Sequence, residues 1–242
     1  MTSGYDSYVR AEWEMFVGDA ARGRESVEAV AGLDVGRVLD VGCGAGQELL
    51  PFASEMGALC VGVDVTPEVG LAGRELFAAH APAARVVFVR AAAESLPFAA
   101  GSFDVAVCRL ALPYTDNARC LSELARVLRP GGVLLLKIHH ARYYARKFGE
   151  ALRVGDAPSA VHAARVLAAG LVYRLTGRQP RTRVPSRETF QTATMLRREL
   201  GRCGLAIRRE LSDTNRLTPS FLIVKTGQTH RADAENAEAR RR

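Results

Sequence analysis

The chain has 242 residues, 48% hydrophobic and 24% charged, which is enough to bury the core of one domain with or without an insertion. Its opening, MTSGYDSYVR, lacks the apolar h-region of a secretory signal, and no stretch reaches the roughly 18–20 apolar residues of a membrane span. The net charge of +7 is local, because residues 141–185 hold nine Lys/Arg against two acids and the remainder balances to zero.

Residues 1–34, with Tyr5, Tyr8 and Trp13 interleaved among charged residues, predict one or two helices. GRVLDVG is a buried strand, GQELLPFASEM a helix ending near Gly57, and ALCVGVDV the second strand. TPEVGLAGRELFAAH reads as a helix with a Thr cap and a Pro-Glu first turn. ARVVFVR and SFDVAVCRL are the third and fourth strands. DNARCLSELARVLRPGG is a capped helix closed by Pro-Gly-Gly, and VLLLKIHH the fifth strand. Alternating strands and helices of this length predict an α/β fold, a doubly wound, mostly parallel sheet with helices on both faces. Residues 141 to about 176 then read as two basic, partly amphipathic helices inserted between strands five and six. ETFQTATMLRRELGRCGL resumes as a helix, and AIRREL and SFLIVKT complete seven strands. Residues 227–242 are polar and expected to be disordered. There is no internal repeat. Five cysteines (Cys43, Cys60, Cys108, Cys120, Cys203) have no metal-ligand spacing; reduced thiols of a cytoplasmic protein, with no metal site, are expected.

The turn after the first strand runs Gly42-Cys43-Gly44-Ala45-Gly46 and continues to Gln47. A dinucleotide fingerprint needs a glycine one position later, and a phosphate-cradling P-loop needs a following Lys-Ser/Thr. Neither is present. Instead an acid, Asp40, precedes the first glycine by two residues, and Asp64 ends the second strand. That pair suits a ligand with an amino group and a ribose but no phosphate, since a carboxylate at a strand's carboxyl end can accept both ribose hydroxyls.

Together with VGVD, AESLPF, SFDVAVC and LARVLRPGGVLLL in this order, VLDVGCGAG resembles the class I S-adenosylmethionine (SAM)-dependent methyltransferases from about Arg37 to Ile138 and again in the last two strands. The resemblance implies a Rossmann-like seven-stranded sheet and SAM as cofactor, with S-adenosyl-L-homocysteine as product. It puts Asp40, Gly42, Cys43, Gly44 and Gly46 against the methionine part, Asp64 on the ribose, Val65 beside the adenine, and Ala93 and Glu94 along the adenine edge. Relatives usually carry an Asp before AESLPF that accepts from the adenine amine; here Ala92 stands there. A charge-assisted hydrogen bond of about 1.5–3 kcal/mol is absent unless Glu94 or the backbone replaces it.

Chemistry in such sheets lies beyond the carboxyl ends of the strands. After strand four, Arg109 is placed at the cofactor mouth and Tyr114 beside the acceptor. The motif of nucleic-acid amine methyltransferases is not matched, because ALPY lacks the leading acid or amide. After strand five, His139 and His140 would point in opposed directions on a continuing strand, and either could act as general base. The division expected is a lid over the cofactor (1–34), a SAM-binding core (35–140), a basic cap over the substrate (141–185), the closing helix and strands (186–226) and a tail (227–242). The insertion's charge points to a small or medium-sized anionic acceptor, methylated at oxygen, with peripheral contact to an anionic membrane as a further role. An RNA methyltransferase and a non-catalytic binding module are the rival readings.

Overall fold

The computed structural model describes residues 4–180 and 187–226. The tail, and positions 181–185 of the expected insertion, lie outside the described residues. Helices α1 (Gly4–Gly18) and α2 (Ala20–Ala29) precede β1 (Arg37–Val41), a 3-10 turn (Gln47–Leu49), α3 (Leu50–Ser54) and β2 (Leu59–Asp64). Next come α4 (Leu71–His80), β3 (Val86–Arg90), β4 (Phe103–Arg109), α5 (Asn117–Val127) and β5 (Leu128–Lys137). The chain closes with α6 (Ala141–Val154), α7 (Ala157–Thr176), α8 (Ala193–Arg202), β6 (Leu205–Glu210) and β7 (Ser220–Lys225).

The seven strands lie in the order β3-β2-β1-β4-β5-β7-β6. All neighbours are parallel except β7, which runs antiparallel to both β5 and β6. Both faces are covered, and the two-residue period of the strands sorts the core. Leu39, Ala106, Cys108, Leu134 and Leu136 meet α5 and α8 on one side. Val38, Val105, Val107, Val133 and Leu135 meet α1 to α4 on the other. The strand order reverses between β1 and β4, and a crevice opens beyond the carboxyl ends of strands at such a point.

Several element boundaries differ from expectation, and α8 begins at Ala193 rather than at Glu188. The helix after Asp64 begins at Leu71, after Gly70 in the left-handed region; the Thr66 hydroxyl accepts from the Glu68 N–H and so closes a turn rather than capping that helix. Helix α5 stops at Val127, with Pro-Gly-Gly already in the extended chain. Strand β5 ends at Lys137, so it does not continue through the two histidines. The five cysteines are free.

Candidate active site

A cavity of about 440 Å³ occupies the crevice, walled by the ends of β1, β2 and β4, by residues 91–94 and by α1. Its floor is the glycine turn. Gly42 has φ 73° and lies so close to the β4 end that a Cβ would stand 2.3 Å from that of Ala111; only glycine lets this chain pass there. The Gly42 and Cys43 N–H groups donate to the Val63 carbonyl at 2.8 and 3.0 Å, which ties the turn to β2.

Asp40 is buried on the wall of this cavity, and its Oδ2 has no hydrogen-bond partner. Burial, reinforced by Glu48 and Asp64, pushes its carboxyl well above the usual carboxylate range. Asp64 is held in place by the Gly44 N–H at 3.2 Å and the Thr66 N–H at 3.1 Å. Tyr5 and Tyr8 of α1 reach the cavity. The Tyr5 hydroxyl is buried beside Asp64, and burial together with that carboxylate pushes it upward, so it stays a neutral donor. Trp13 does not join them. It is fully buried edge-on to Phe77 and His80 and anchors α1 to α4, a packing residue rather than part of the cover.

Of the expected cofactor residues, Asp40, Gly42, Cys43, Gly44, Asp64, Val65, Ala93, Glu94 and Arg109 line one cavity, with Ala92 beside them. Gly46 sits behind the wall as the left-handed residue that starts the 3-10 turn. Glu94 accepts from the Asp116 N–H at 2.8 Å and so fixes residues 92–94 to the start of α5. Arg109 is corrected in its environment. It is not an open mouth residue but a buried one, 3.1 Å from Glu48 and paired with Asp213, which Lys137 also holds at 2.6 Å. Glu48 is buried against Arg22 as well. Sequence reasoning missed Glu48 and Arg22; the signal was an acid two residues past the last glycine, at the start of an apolar helix. It also missed Leu110. Among the described residues Leu110 is the one non-glycine at positive φ, 63°, and it lies on the cavity wall where β4 ends, a strained placement of the kind found at functional sites.

Tyr114 lines the cavity with its side chain half-exposed. The histidines do not line it. Because β5 has ended, His140 caps α6 by accepting from the Arg142 N–H, and His139 turns under the cap. There it stacks on Tyr143 at 4.1 Å, and the Tyr144 hydroxyl lies 3.2 Å from its Nδ1. Tyr144 donates to buried Glu188 at 2.7 Å, and the other oxygen of Glu188 stands 3.0 Å from His162 Nε2. This network joins α6, α7 and the segment before α8. Burial pushes the His139 imidazole down to about 4, so it is neutral at physiological pH.

None of the cavity-lining residues comes from 141–180. The cations that do reach the wall, Arg22 and Arg109, are both paired with Glu48. Among the described residues, no group of His, Cys, Asp and Glu could hold a metal ion, and no helix is long and apolar enough to cross a membrane.

Residues 39–136 match the model of the methyltransferase domain. The chain is 41% identical over 106 residues to the uncharacterized methyltransferase YcgJ of Bacillus subtilis, a stretch covering 43% of this chain and 41% of that protein. The YcgJ crystal structure superposes with a TM-score of 0.56 at 21% identity, over 85% of this chain and 96% of that one. A SAM-dependent methyltransferase of Methanosarcina mazei superposes with a TM-score of 0.55 at 23% identity, over 80% and 93%. The UbiE ubiquinone/menaquinone C-methyltransferase of a Geobacter species is 34% identical over 116 residues, 47% of this chain and 49% of its own. Other similar proteins are named as O-methyltransferases. Matched stretches span 29% to 51% of the length of these curated relatives. Residues 39–136 thus form a methyltransferase domain, and the strand order is that of the fold of the class I SAM-dependent methyltransferase family. The cofactor of that family is SAM.

Proposed function

We propose that this chain moves a methyl group from SAM to an oxygen of a small-molecule acceptor. The observation that carries this is the unpartnered, buried Asp40 oxygen opening on the same cavity as Asp64 and the glycine turn. A wall holding Asp40, Asp64 and Glu94 suits a cationic ligand, and the floor can pass this close to the β4 end only because Gly42 has no side chain. Asp64 would accept from the ribose hydroxyls, and Asp40 would meet the amino end of the methionine part. Glu94 and the backbone of Ala92 and Ala93 would face the adenine. When bound, SAM supplies a methyl group on a sulfonium, so alignment and exclusion of water are the chain's main tasks.

Tyr5 and Tyr8 cover the cavity from α1, and Tyr114 stands where an acceptor would enter. Burial and the Glu188 carboxylate push the Tyr114 hydroxyl upward, so it orients an acceptor by donating a hydrogen bond rather than by removing a proton. Relatives named for transfer to oxygen support the choice of atom. An anionic acceptor finds no cation in the cavity wall, among the described residues, that is not already paired with Glu48. The test is calorimetric titration with SAM and S-adenosyl-L-homocysteine, with NAD as control. Asp64→Ala is expected to weaken SAM binding tenfold to a hundredfold, about 1.4–2.8 kcal/mol. Unchanged affinity would remove the ribose assignment, and equal binding of NAD would remove SAM as the specific ligand.

A further inference from the structure

Helix α7 is apolar on two opposite faces. Toward the body it buries Ala163, Val166, Gly170 and Tyr173, with Gly170 letting the Phe190 ring lie against its backbone. Val161, Leu171, Val172 and Leu175 are exposed on the other side, with exposed Ala164 and Ala168 between them. At about 100° per residue these six positions fall within an arc of about 100°, centred opposite the buried face. The stripe is about 21 Å long. Arg165 borders it on one flank, and Arg174 and exposed Arg178 border it on the other. Near the hairpin turn, Leu152 and Val154 at the end of α6 add exposed apolar surface beside Arg153.

We propose that this outer face of α7 docks on an anionic lipid surface, with its apolar stripe in the acyl boundary and the flanking arginines among the headgroups. The charge pattern selects the occupant. Described residues 141–180 hold seven Lys/Arg and two acids, and both acids are engaged. Glu150 pairs with Arg146, and Asp156 caps α7. A second copy would set these cations against themselves, whereas anionic headgroups match them on both flanks. None of these cations lines the glycine-turn cavity. The proposal is independent of the methyl-transfer reading.

The test is co-sedimentation of the full chain with vesicles of phosphatidylcholine alone and of equal parts phosphatidylcholine and phosphatidylglycerol. Binding is expected to the mixed vesicles only. Leu171→Glu/Leu175→Glu should weaken it at least tenfold, and Leu71→Glu/Val87→Glu, an equal change at exposed sites on α4 and β3, should leave it intact. Circular dichroism and sedimentation velocity confirm that the variants are folded. Two outcomes would overturn the proposal: no wild-type binding at low salt, or binding that the double variant retains. A dimer that the double variant dissociates, with no vesicle binding, would overturn it in favour of self-association.

Discussion

The glycine-turn cavity and the α6–α7 cap handle their polar groups in opposite ways. Around the cavity, acids are buried without full satisfaction, and Asp40 and Glu48 each leave an oxygen unpartnered. Beneath the cap, Tyr144, Glu188, His139 and His162 form a continuous chain of contacts. What the cap leaves without a partner is its outer surface. Buried polar groups cost stability unless they are paired. The first region therefore carries its cost inward, where a small ligand can offset it. The second has closed its interior and exposes an apolar face to something larger.

The largest expected effect breaks the cavity side. Gly42→Ala puts a side chain at φ 73° and against Ala111, costing about 1 kcal/mol for the backbone and about 1–3 kcal/mol for overpacking. Urea denaturation should show a total loss of about 2–4 kcal/mol. Adding Ala111→Gly should return the packing part but not the backbone part. If the single variant is as stable as the parent, the close approach of β1 and β4 is wrong. On the cap side the effect is set by pH. Burial holds His139 neutral with a pKa of about 4, against about 6.5 in an unfolded chain. The unfolded state takes up its proton first, so stability is full above about pH 6.5 and is lost as pH falls through about 4. The loss is on the order of 3 kcal/mol at most. Groups around the ring include Tyr114, Tyr143, Tyr144 and Glu188, and His139→Gln should flatten this part of the pH–stability curve.

The two regions also differ in how far they were legible. The cavity could be read because its residues sit at fixed steps from one turn: Asp40, the glycines and Asp64 come from two consecutive strand ends, and a local pattern suffices. Arg109 was expected at an open cofactor mouth; its burial depends on Asp213, more than a hundred residues away, which local spacing does not encode. The histidines failed for a similar reason. The KIHH run keeps an apolar alternation past Lys137, yet the strand stops there: the Ile138 and His140 N–H groups still donate to the Pro219 and Leu217 carbonyls, but Pro219 has no N–H to return and the Leu217 N–H goes to the Asn215 side chain. Glu188 carried no sequence signal at all, since it becomes a site only when α6 and α7 fold over it. The outer face of α7 was half visible: its charge could be counted, but the stripe is defined by which side α7 buries.

The smallest effect is the most discriminating. Asp40 holds its proton in the folded state above the usual carboxylate range, chiefly through burial. The unfolded chain releases that proton near pH 3.9. The contribution of this group to stability is therefore fully present below about pH 3.9 and is lost as pH rises toward the raised folded value. Asp40→Asn never acquires the charge, so the variant should melt about 2–4 °C higher at neutral pH, which corresponds to about 1 kcal/mol in a domain of this size. The advantage should vanish near pH 4. Affinity should move the other way, with SAM binding at least tenfold weaker, so that saturating SAM raises the melting temperature of the parent but not of the variant. A carboxylate that merely braces the turn would lose stability on substitution and leave binding to follow it down. A variant more stable alone and less stable with SAM marks a residue whose buried charge is kept for a ligand, and no substitution in the closed network around Glu188 is expected to behave that way.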